Sequence, residues 1–474
     1  MYATILATKS DKTLQLRNGK SYVEFSGKED LDTQTLAAFD PEVFTISDSC
    51  PALETLLQQA VERESQAPDD PIEAFDETAM SSAPDLPATH NVNKKRPFVE
   101  KTEAAHNGHR HRKRSKKRAR LIGSEGHLHG RNAPAIQTCI AVPSNVDAFT
   151  LPAATGGYIG KDLTVERGAV RDVEWFRSQP GWTYLKWDGS RALSIVDKAQ
   201  RLIVVGLKKI QDKMYDDDVE KVAELLERAR STKMTLGPAD TNHLCGEGFP
   251  AAACGWSMGQ GQKQPMHTGG KYAGVMQELI AEPCIQRVAS VQDAGFACWS
   301  FKNYKYYLDA MKKLGASVER FEPNFERSQF ASITFNFGPQ VCTCEHTNAK
   351  NCPHSMCAIT AAGKFDHTKG GHLVLPDLKV IIEFPSGCTL LLPSAILRHH
   401  NTPIQPGETR YSVTQYSAGG IFRWLEYGNR TEVELRAQDP ACIQEVYAER
   451  KGRWAKMVNM FVTLDEVRQY HSAV

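Results

Sequence analysis

His346, Asn348, His399 and Arg410 are the residues of this chain whose types and spacing could do chemistry. His346-Thr347-Asn348 sets an imidazole and a side-chain amide two positions apart. Residues two apart on a strand face the same way, so both could aim at one metal ion. A second imidazole, His399, follows Pro393-Ser394-Ala395, and Arg410 lies beyond a turn at Pro406-Gly407-Glu408. A guanidinium there can clamp a carboxylate through two parallel hydrogen bonds, and Ser412, on the same strand face, can add another. Two imidazoles and one carboxylate on one face of an iron, with positions open for a keto acid and dioxygen, form the donor set of oxygenase chemistry. Here an amide stands at the carboxylate position. Its carbonyl oxygen can coordinate a metal but carries no negative charge, which predicts weaker iron(II) binding.

Neighbouring residues compete for these roles. His400 follows His399 directly, and adjacent strand residues point to opposite sides, so one of the two is a ligand; the Pro-Ser-Ala spacing favours His399, and a bulge would swap them. His372, after Gly370-Gly371, reads as a hydrogen-bonded or surface histidine, with a supporting or substrate contact as the alternative. Asp366 is the one nearby acid that could stand in for the missing carboxylate. Cys342, Cys344, Cys352, His354 and Cys357 are candidates for a structural zinc site, but Cys342-x-Cys344 and Cys352-x-His354 leave one residue between ligands where zinc pairs usually leave two or more, which argues against zinc.

Several elements must position these groups. Residues 330–337 (FASITFNF) alternate as a strand, and 341–346 resume after Gly338-Pro339 as another. Residues 380–384 and 388–392 are apolar strands joined by Pro385-Ser386-Gly387, and 409–417 form a strand that puts Arg410, Ser412 and Thr414 on one face. Upstream, 182–187 and 192–196 read as a ribbon across Asp188-Gly189, with 201–206 as a third strand. Residues 216–232 and 304–314 have the period of amphipathic helices. The stretch 255–262 (GWSMGQGQ) lacks the order of a phosphate loop and reads as a flexible surface loop or a lid. Residues 440–461 are helical in pattern and pack on the outside of the core or pair with a partner helix.

The chain has 474 residues, 41% of them hydrophobic, and a formal net charge of +1. No run of eighteen apolar residues occurs and the N-terminus lacks the layout of a secretory signal, so no membrane association is expected. A nuclear home is expected first and a cytoplasmic one second. The twelve cysteines then belong to a reducing compartment. Residues 1–64 could form a small module with one helix over 52–64. Residues 65–140 are too polar to bury a core and read as a disordered acidic and basic linker. Within it, the run from Arg110 to Arg120 holds eight Lys or Arg in eleven positions. This run suits an import receptor, sequence-independent contact with nucleic-acid phosphates, or a solvated linker, in that order.

The pieces Phe335-Asn336-Phe337-Gly338-Pro339, His346-Thr347-Asn348-Ala349-Lys350-Asn351, Gly370-Gly371-His372-Leu373-Val374-Leu375, Ile382-Glu383-Phe384-Pro385-Ser386-Gly387, Leu392-Pro393-Ser394-Ala395 and Arg410-Tyr411-Ser412-Val413-Thr414-Gln415-Tyr416 occur in one order. In these the span from about 325 to 434 resembles the TET/JBP branch of 2-oxoglutarate dioxygenases, and most of all its fungal, transposon-associated members. The resemblance implies an α+β fold: a double-stranded β-helix (jelly-roll) barrel over 327–434 with flanking helices, a leader of mixed strands and helices over 156–326 and a helical segment over 435–474. It implies His346, His399 and residue 348 as iron ligands and Arg410, with Ser412, as the 2-oxoglutarate contact. It also implies iron(II) and 2-oxoglutarate as cofactors, with ascorbate in support, and methylated DNA as partner, the reaction being oxidation of a 5-methylpyrimidine such as 5-methylcytosine. Trp182, Tyr184, Trp187, Trp256, Trp299 and Tyr304 are candidates for stacking on an extruded base. Asn348 departs from the family pattern, so a catalytically inactive nuclear DNA-binding or interaction protein on the same fold is the second expectation. The sequence leaves the oligomeric state open.

Overall fold

The computed structural model describes residues 13–15, 21–23, 134–162, 170–243, 245–259 and 261–472. The chain separates into two compact units, Met1–Pro68 and Asp69–Val474. In the first, strands β1 (Thr13–Gln15) and β2 (Ser21–Val23) pair antiparallel with Thr13 opposite Val23. The helix expected over 52–64, the linker expected over 65–140 up to residue 133 and the basic run from Arg110 to Arg120 lie outside the described residues.

The second unit is mixed α+β. Its strands run β3 (Ile140–Pro143), β4 (Thr183–Leu185), β5 (Leu193–Val196), β6 (Leu202–Gly206), β7 (Asn242–His243), β8 (Gly246–Glu247), β9 (Ala251–Ser257) and β10 (Met266–Thr268). There follow β11 (Ser332–Asn336), β12 (Cys357–Ala362), β13 (Leu373–Leu375), β14 (Val380–Ile382), β15 (Thr389–Leu392), β16 (His400–Asn401) and β17 (Tyr411–Tyr416). Nine strands form one sheet in the order β10-β9-β11-β17-β12-β15-β6-β5-β3, antiparallel throughout except for the parallel pair β3 and β5. A second sheet has the order β16-β13-β14-β4, and β7 and β8 form a short ribbon. The stretches read from sequence as leader and core thus share the large sheet: β5, β6, β9 and β10 of the leader, with β3 from upstream of it, flank β11, β12, β15 and β17.

The period of two along the central strands sorts side chains between two faces. Ile333 and Phe335 on β11, Ala362 on β12, and Tyr411 and Val413 on β17 are buried together against helices Lys213–Thr232, Ala273–Ala281 and Pro283–Trp299. A buried polar cluster pins the last helix to this face: Gln292 Nε2 donates to Thr360 Oγ1 (2.8 Å) and Val413 O (2.9 Å), while Gln415 Nε2 donates to Ala289 O (3.0 Å) and Gln292 Oε1 (2.9 Å). Every one of these amides is satisfied, so the cluster can be buried without a desolvation penalty left over. The opposite face carries Thr334, Asn336, Ile359, Ser412, Thr414 and Tyr416 and lines a cavity.

Helix Lys213–Thr232 begins at Asp212, whose carboxylate accepts from Met214 N (3.0 Å), and buries Tyr215, Val219, Val222, Ala223, Leu225, Leu226 and Ala229. It follows the expected apolar stripe and starts three residues earlier. The helix expected over 304–314 spans Phe301–Ser317, and that expected over 440–461 spans Pro440–Met457. On the latter, Ile443 is buried in the large core and the Trp454 indole N–H donates to Phe149 O (2.8 Å).

Three sequence readings are corrected. Strands β4 and β5 do not form a ribbon: β4 pairs parallel with β14, whereas β5 pairs with β3 and β6. A two-residue type I′ turn needs positive φ at both central residues, and here Gly189 has it while Asp188 does not. All four residues of β5 are buried, so it needs neighbours on both edges. Residues 255–257 belong to β9 and are no loop: Trp256 is buried, and Gly255 (φ +126°) sits where a Cβ would meet Ala331 O at 2.3 Å. Residues 341–346 are irregular, because their backbone groups bond outside any ladder, Thr343 N to Asn401 Oδ1 (2.9 Å) and Cys344 N to Cys245 O (2.8 Å).

Leu391 is fully buried between β12 and β6, opposite Ala358 and Val205. Truncating it removes apolar contact and leaves a void, so L391A is expected to cost about 2–5 kcal/mol. V433A, at a residue 67% exposed, is expected to stay within about 0.5 kcal/mol. Urea unfolding of both variants checks the placement.

Candidate active site

His346 and His399 come together through the backbone. His346 N donates to His399 O (3.2 Å) and His399 N donates to His346 O (3.0 Å), an isolated antiparallel bridge that sets the two rings 4.4 Å apart, centroid to centroid. Each ring is fixed by the carbonyl two residues before it: His346 Nδ1 lies 2.8 Å from Cys344 O and His399 Nδ1 lies 2.9 Å from Leu397 O. Burial would lower His346, but Cys245 beside it outweighs burial and raises it; a carbonyl only accepts, so in each ring Nδ1 carries a proton and Nε2 is the nitrogen left for another contact. This is the tautomer that a metal-binding imidazole uses. Burial pulls His399 down to about 3, with His346 adding to the effect, so it is neutral at physiological pH.

His400 also lines the cavity, but its ring turns toward Phe176, 5.6 Å away, as strand alternation requires. Asn348 lines the same cavity as the two histidines, its backbone N–H held by Ser394 O at 2.8 Å and its Nδ2 3.9 Å from Cys245 Sγ. Cys245, in the turn between β7 and β8, was not anticipated. Burial would raise its thiol, but the His346 and His243 rings beside it outweigh burial and bring it down to about 5. The only sequence hint was its place two residues after His243. Among the described residues, no three His, Cys, Asp or Glu side chains converge to hold a metal ion.

Arg410 closes the other side of the cavity. It is 3% exposed, its Nε has no hydrogen-bond partner, and its one hydrogen bond, from Nη1 to Val341 O, is long at 3.4 Å. Its guanidinium carbon lies 6.0 Å from the centre of the Phe365 ring and 5.8 Å from that of Phe384. Burial lowers it to about 10, so it stays charged at neutral pH. No carboxylate of the described residues pairs with it. Ser412 stands on the same strand face, its Oγ accepting from Asn336 Nδ2 at 2.8 Å, which leaves the hydroxyl proton free to donate. The cavity holds about 120 Å³ and runs from the two imidazoles to Arg410.

The donor set fits a divalent metal with an anionic ligand in part. Two imidazoles whose Nδ1 atoms are held by backbone carbonyls suit iron(II), and a buried guanidinium without a counterion among the described residues suits the far carboxylate of a keto acid. The neutral Asn348 amide leaves the cation without a carboxylate.

The remaining candidates fall away from the cavity. His372 is held in a wall by Thr402 Oγ1 (3.0 Å) and Tyr184 Oη (3.1 Å), and Tyr184 donates to Glu383 (2.8 Å). Asp366 is paired with Lys369 at 2.8 Å on the surface, and this holds its carboxyl well below the usual range; it does not line the cavity. Cys342 donates to Asn401 O (3.5 Å), while Cys352 meets His354 (3.1 Å) in a separate buried pocket, so the cysteine-rich stretch is dispersed. Trp187, Trp256, Trp299 and Tyr304 are core residues; Trp182 and Tyr184 are half-buried and pack by Phe176 and His372. No helix among the described residues is long and apolar enough to cross a membrane.

No family model matches the chain, and no curated protein does. Among solved structures the chain is similar to NgTET1 in complex with 5mC DNA, with 12% identity and a TM-score of 0.36 over 52% of this chain and 86% of that one. It is similar to the viral collagen prolyl hydroxylase of Paramecium bursaria Chlorella virus-1 in a 2OG complex, with 13% identity and a TM-score of 0.21 over 42% and 90%. A 2OG-Fe(II) oxygenase family oxidoreductase from Burkholderia pseudomallei gives 14% identity and 0.21 over 41% and 89%.

His354 offers a pH test independent of the cavity. It is buried, with Nδ1 2.9 Å from Asn303 Oδ1, and burial, aided by Arg453, pulls it from 6.5 down to about 3. A folded-state pKa below the unfolded one means that stability is complete above pH 6.5 and falls as pH drops toward 3. Between pH 7 and 5 this histidine should cost on the order of 2 kcal/mol of stability. In H354Q that part of the slope should vanish, which urea unfolding at the two pH values measures.

Proposed function

We propose that the chain is an iron(II)- and 2-oxoglutarate-dependent dioxygenase built on a double-stranded β-helix, with the nine-strand and four-strand sheets as its two walls. One observation carries this reading: a single cavity has two buried imidazoles, each with Nδ1 held by a backbone carbonyl, on one side and a buried Arg410 with no carboxylate partner among the described residues on the other. His346 and His399 hold the metal, with Asn348 as a neutral third donor. Arg410 and Ser412 hold the far carboxylate of 2-oxoglutarate, and Phe365 and Phe384 flank the guanidinium and keep water from it. Iron and 2-oxoglutarate, when bound, supply oxidation of a C–H bond by dioxygen with decarboxylation of the keto acid. A 5-methylpyrimidine in DNA is the substrate we infer, on the sequence resemblance over 325–434.

Asn348 favours a second reading, a nuclear protein that binds methylated DNA on this scaffold without turnover. Without an anionic ligand, two imidazoles and an amide hold a dication weakly. Site, substrate and nuclear address are separate parts of the proposal, and the basic run from Arg110 to Arg120 would serve the last.

The test incubates the full chain, N348D and R410A with iron(II), 2-oxoglutarate, ascorbate and a methylated duplex, and reads nucleosides by mass spectrometry. Oxidised 5-methylcytosine from the unmodified chain and none from R410A is the expected result. Turnover by N348D alone would make the natural chain the inactive form. R410A should weaken 2-oxoglutarate binding by about 2–5 kcal/mol, roughly 30- to 5,000-fold in Kd, by calorimetry. N348D should raise the iron(II) bound at equilibrium; equal iron content would remove Asn348 from the metal site.

A further inference from the structure

We infer that the outer face of the four-strand sheet is a platform for single-stranded nucleic acid, on which unpaired bases stack beside the cavity. The inference rests on the reading of nucleic acid as substrate and says in which form, and by which residues, the strand is held.

The sheet has two faces, as strand alternation requires. Leu373 and Phe384 line the cavity, whereas Val374 and Ile381 turn outward and are buried under Phe176 of the short helix Val173–Ser178. Around Phe176 the rings form a ladder: Trp175 lies 4.9 Å away, Trp182 4.8 Å and His400 5.6 Å, centroid to centroid. Trp175 is 38% exposed and His400 lines the cavity, so the ladder runs from solvent to the cavity wall. Trp182 and Tyr184, expected from sequence to stack on a base, thus stand on the outside of this wall, half-buried, with one side open.

Cations interleave with the rings. The Arg171 guanidinium lies 5.0 Å from the centre of the Trp175 ring and that of Arg177 4.0 Å from the centre of Tyr184, both arginines being exposed. A guanidinium backed by a ring presents its far face to solvent, where a base can stack on it, and keeps its edge donors for phosphate. Lys379 adds a third cation beside Trp182, its Nζ 3.8 Å from where a Cβ on Gly181 would stand. The acids of the patch are already engaged: Glu174 pairs with Arg177 at 2.6 Å, and the Asp172 carboxylate accepts from Trp175 N at 2.8 Å to cap the helix. No carboxylate of the described residues pairs with Arg171 or Lys379. Flat rings alternating with cations hold a single strand through stacking and phosphate contact together. In a duplex the base faces are covered by their neighbours, so this platform selects a single strand over a duplex.

Binding without iron or 2-oxoglutarate tests the platform apart from turnover. The full chain, W175A, R171A and a V433A control, each checked for fold by circular dichroism, are titrated into a short fluorescein-labelled single strand and into its duplex, and anisotropy is read. Binding through the basic run from Arg110 to Arg120 is common to all four chains, so the differences between them report on the patch. The full chain and V433A should bind the single strand alike and more tightly than the duplex, and W175A and R171A roughly 5- to 150-fold more weakly. A strand carrying 5-iododeoxyuridine should crosslink to Trp175 or Trp182 under ultraviolet light, mapped by mass spectrometry. Unchanged affinity in both variants, crosslinks confined to other residues, or equal affinity for the duplex would overturn the inference. Dimerisation of the full chain that W175A abolishes, read by sedimentation, would make this face a contact between copies and overturn it too. A chain that binds through Trp175 yet oxidises no base would leave the platform standing and remove the dioxygenase reading; turnover with binding indifferent to W175A would do the reverse.

Discussion

Two hydrogen bonds exchanged between the backbones of His346 and His399 hold the candidate site together. The His346 segment is irregular and β16 begins only after His399, so this rung sets the register between the two. The local geometry repeats around it: each histidine is oriented by the carbonyl of the residue two before it, Cys344 for one and Leu397 for the other. Asn348 is fixed from the same side by Ser394. Outside the rung, Asn401 ties both strands of the arrangement, accepting from Thr343 N and Thr343 Oγ1 and donating to Val341 O. Rigidly oriented imidazoles follow from a backbone constraint and need no side-chain network of their own.

Arg410 shows the opposite economy. Burying a charge without a partner costs several kcal/mol, and a fold carries such a group where a ligand offsets the cost. The outer face of the same strand has no such debt, since Val413 packs in the helical core and Gln415 is satisfied by Ala289 and Gln292. Alternation along β17 therefore separates a structural face from a chemical one at each successive residue. Gly371 (φ +72°) lets the chain pass beside the guanidinium, where a Cβ would meet Arg410 Cδ at 3.2 Å.

Much of this was legible in sequence wherever one signal sufficed. The period of two over 409–417 placed Arg410, Ser412 and Thr414 together, and the apolar stripe of Lys213–Thr232 marked its buried side. What failed had its cause in tertiary pairing. Asp188-Gly189 looks like a hairpin turn, yet β4 and β5 go to different sheets because β5 is buried on both edges and faces. Gly255-Trp256-Ser257 looks like loop because its glycine serves close strand approach rather than freedom. The helices Ala273–Ala281 and Pro283–Trp299 carry broad apolar surfaces that blur the helical period, and they were missed. Cys245 had only its nearness to His243 as a local signal, since its place beside the His346 segment arises from a contact across about a hundred residues.

Strand β3 has a bearing on where this fold can be cut. It lies at one edge of the nine-strand sheet, parallel to β5, and its neighbours 153–160 run against the histidine-bearing segment, with Gly160 N bonded to Ala349 O. A Cβ at Gly160 would meet Ala395 O at 2.0 Å. A fragment begun at residue 156, where the compositional boundary falls, would expose the backbone of a fully buried β5 as an open edge, a template for strand addition between molecules. A fragment that keeps this edge covered therefore starts upstream of Ile140, and a cut at the apparent boundary invites association through the exposed strand.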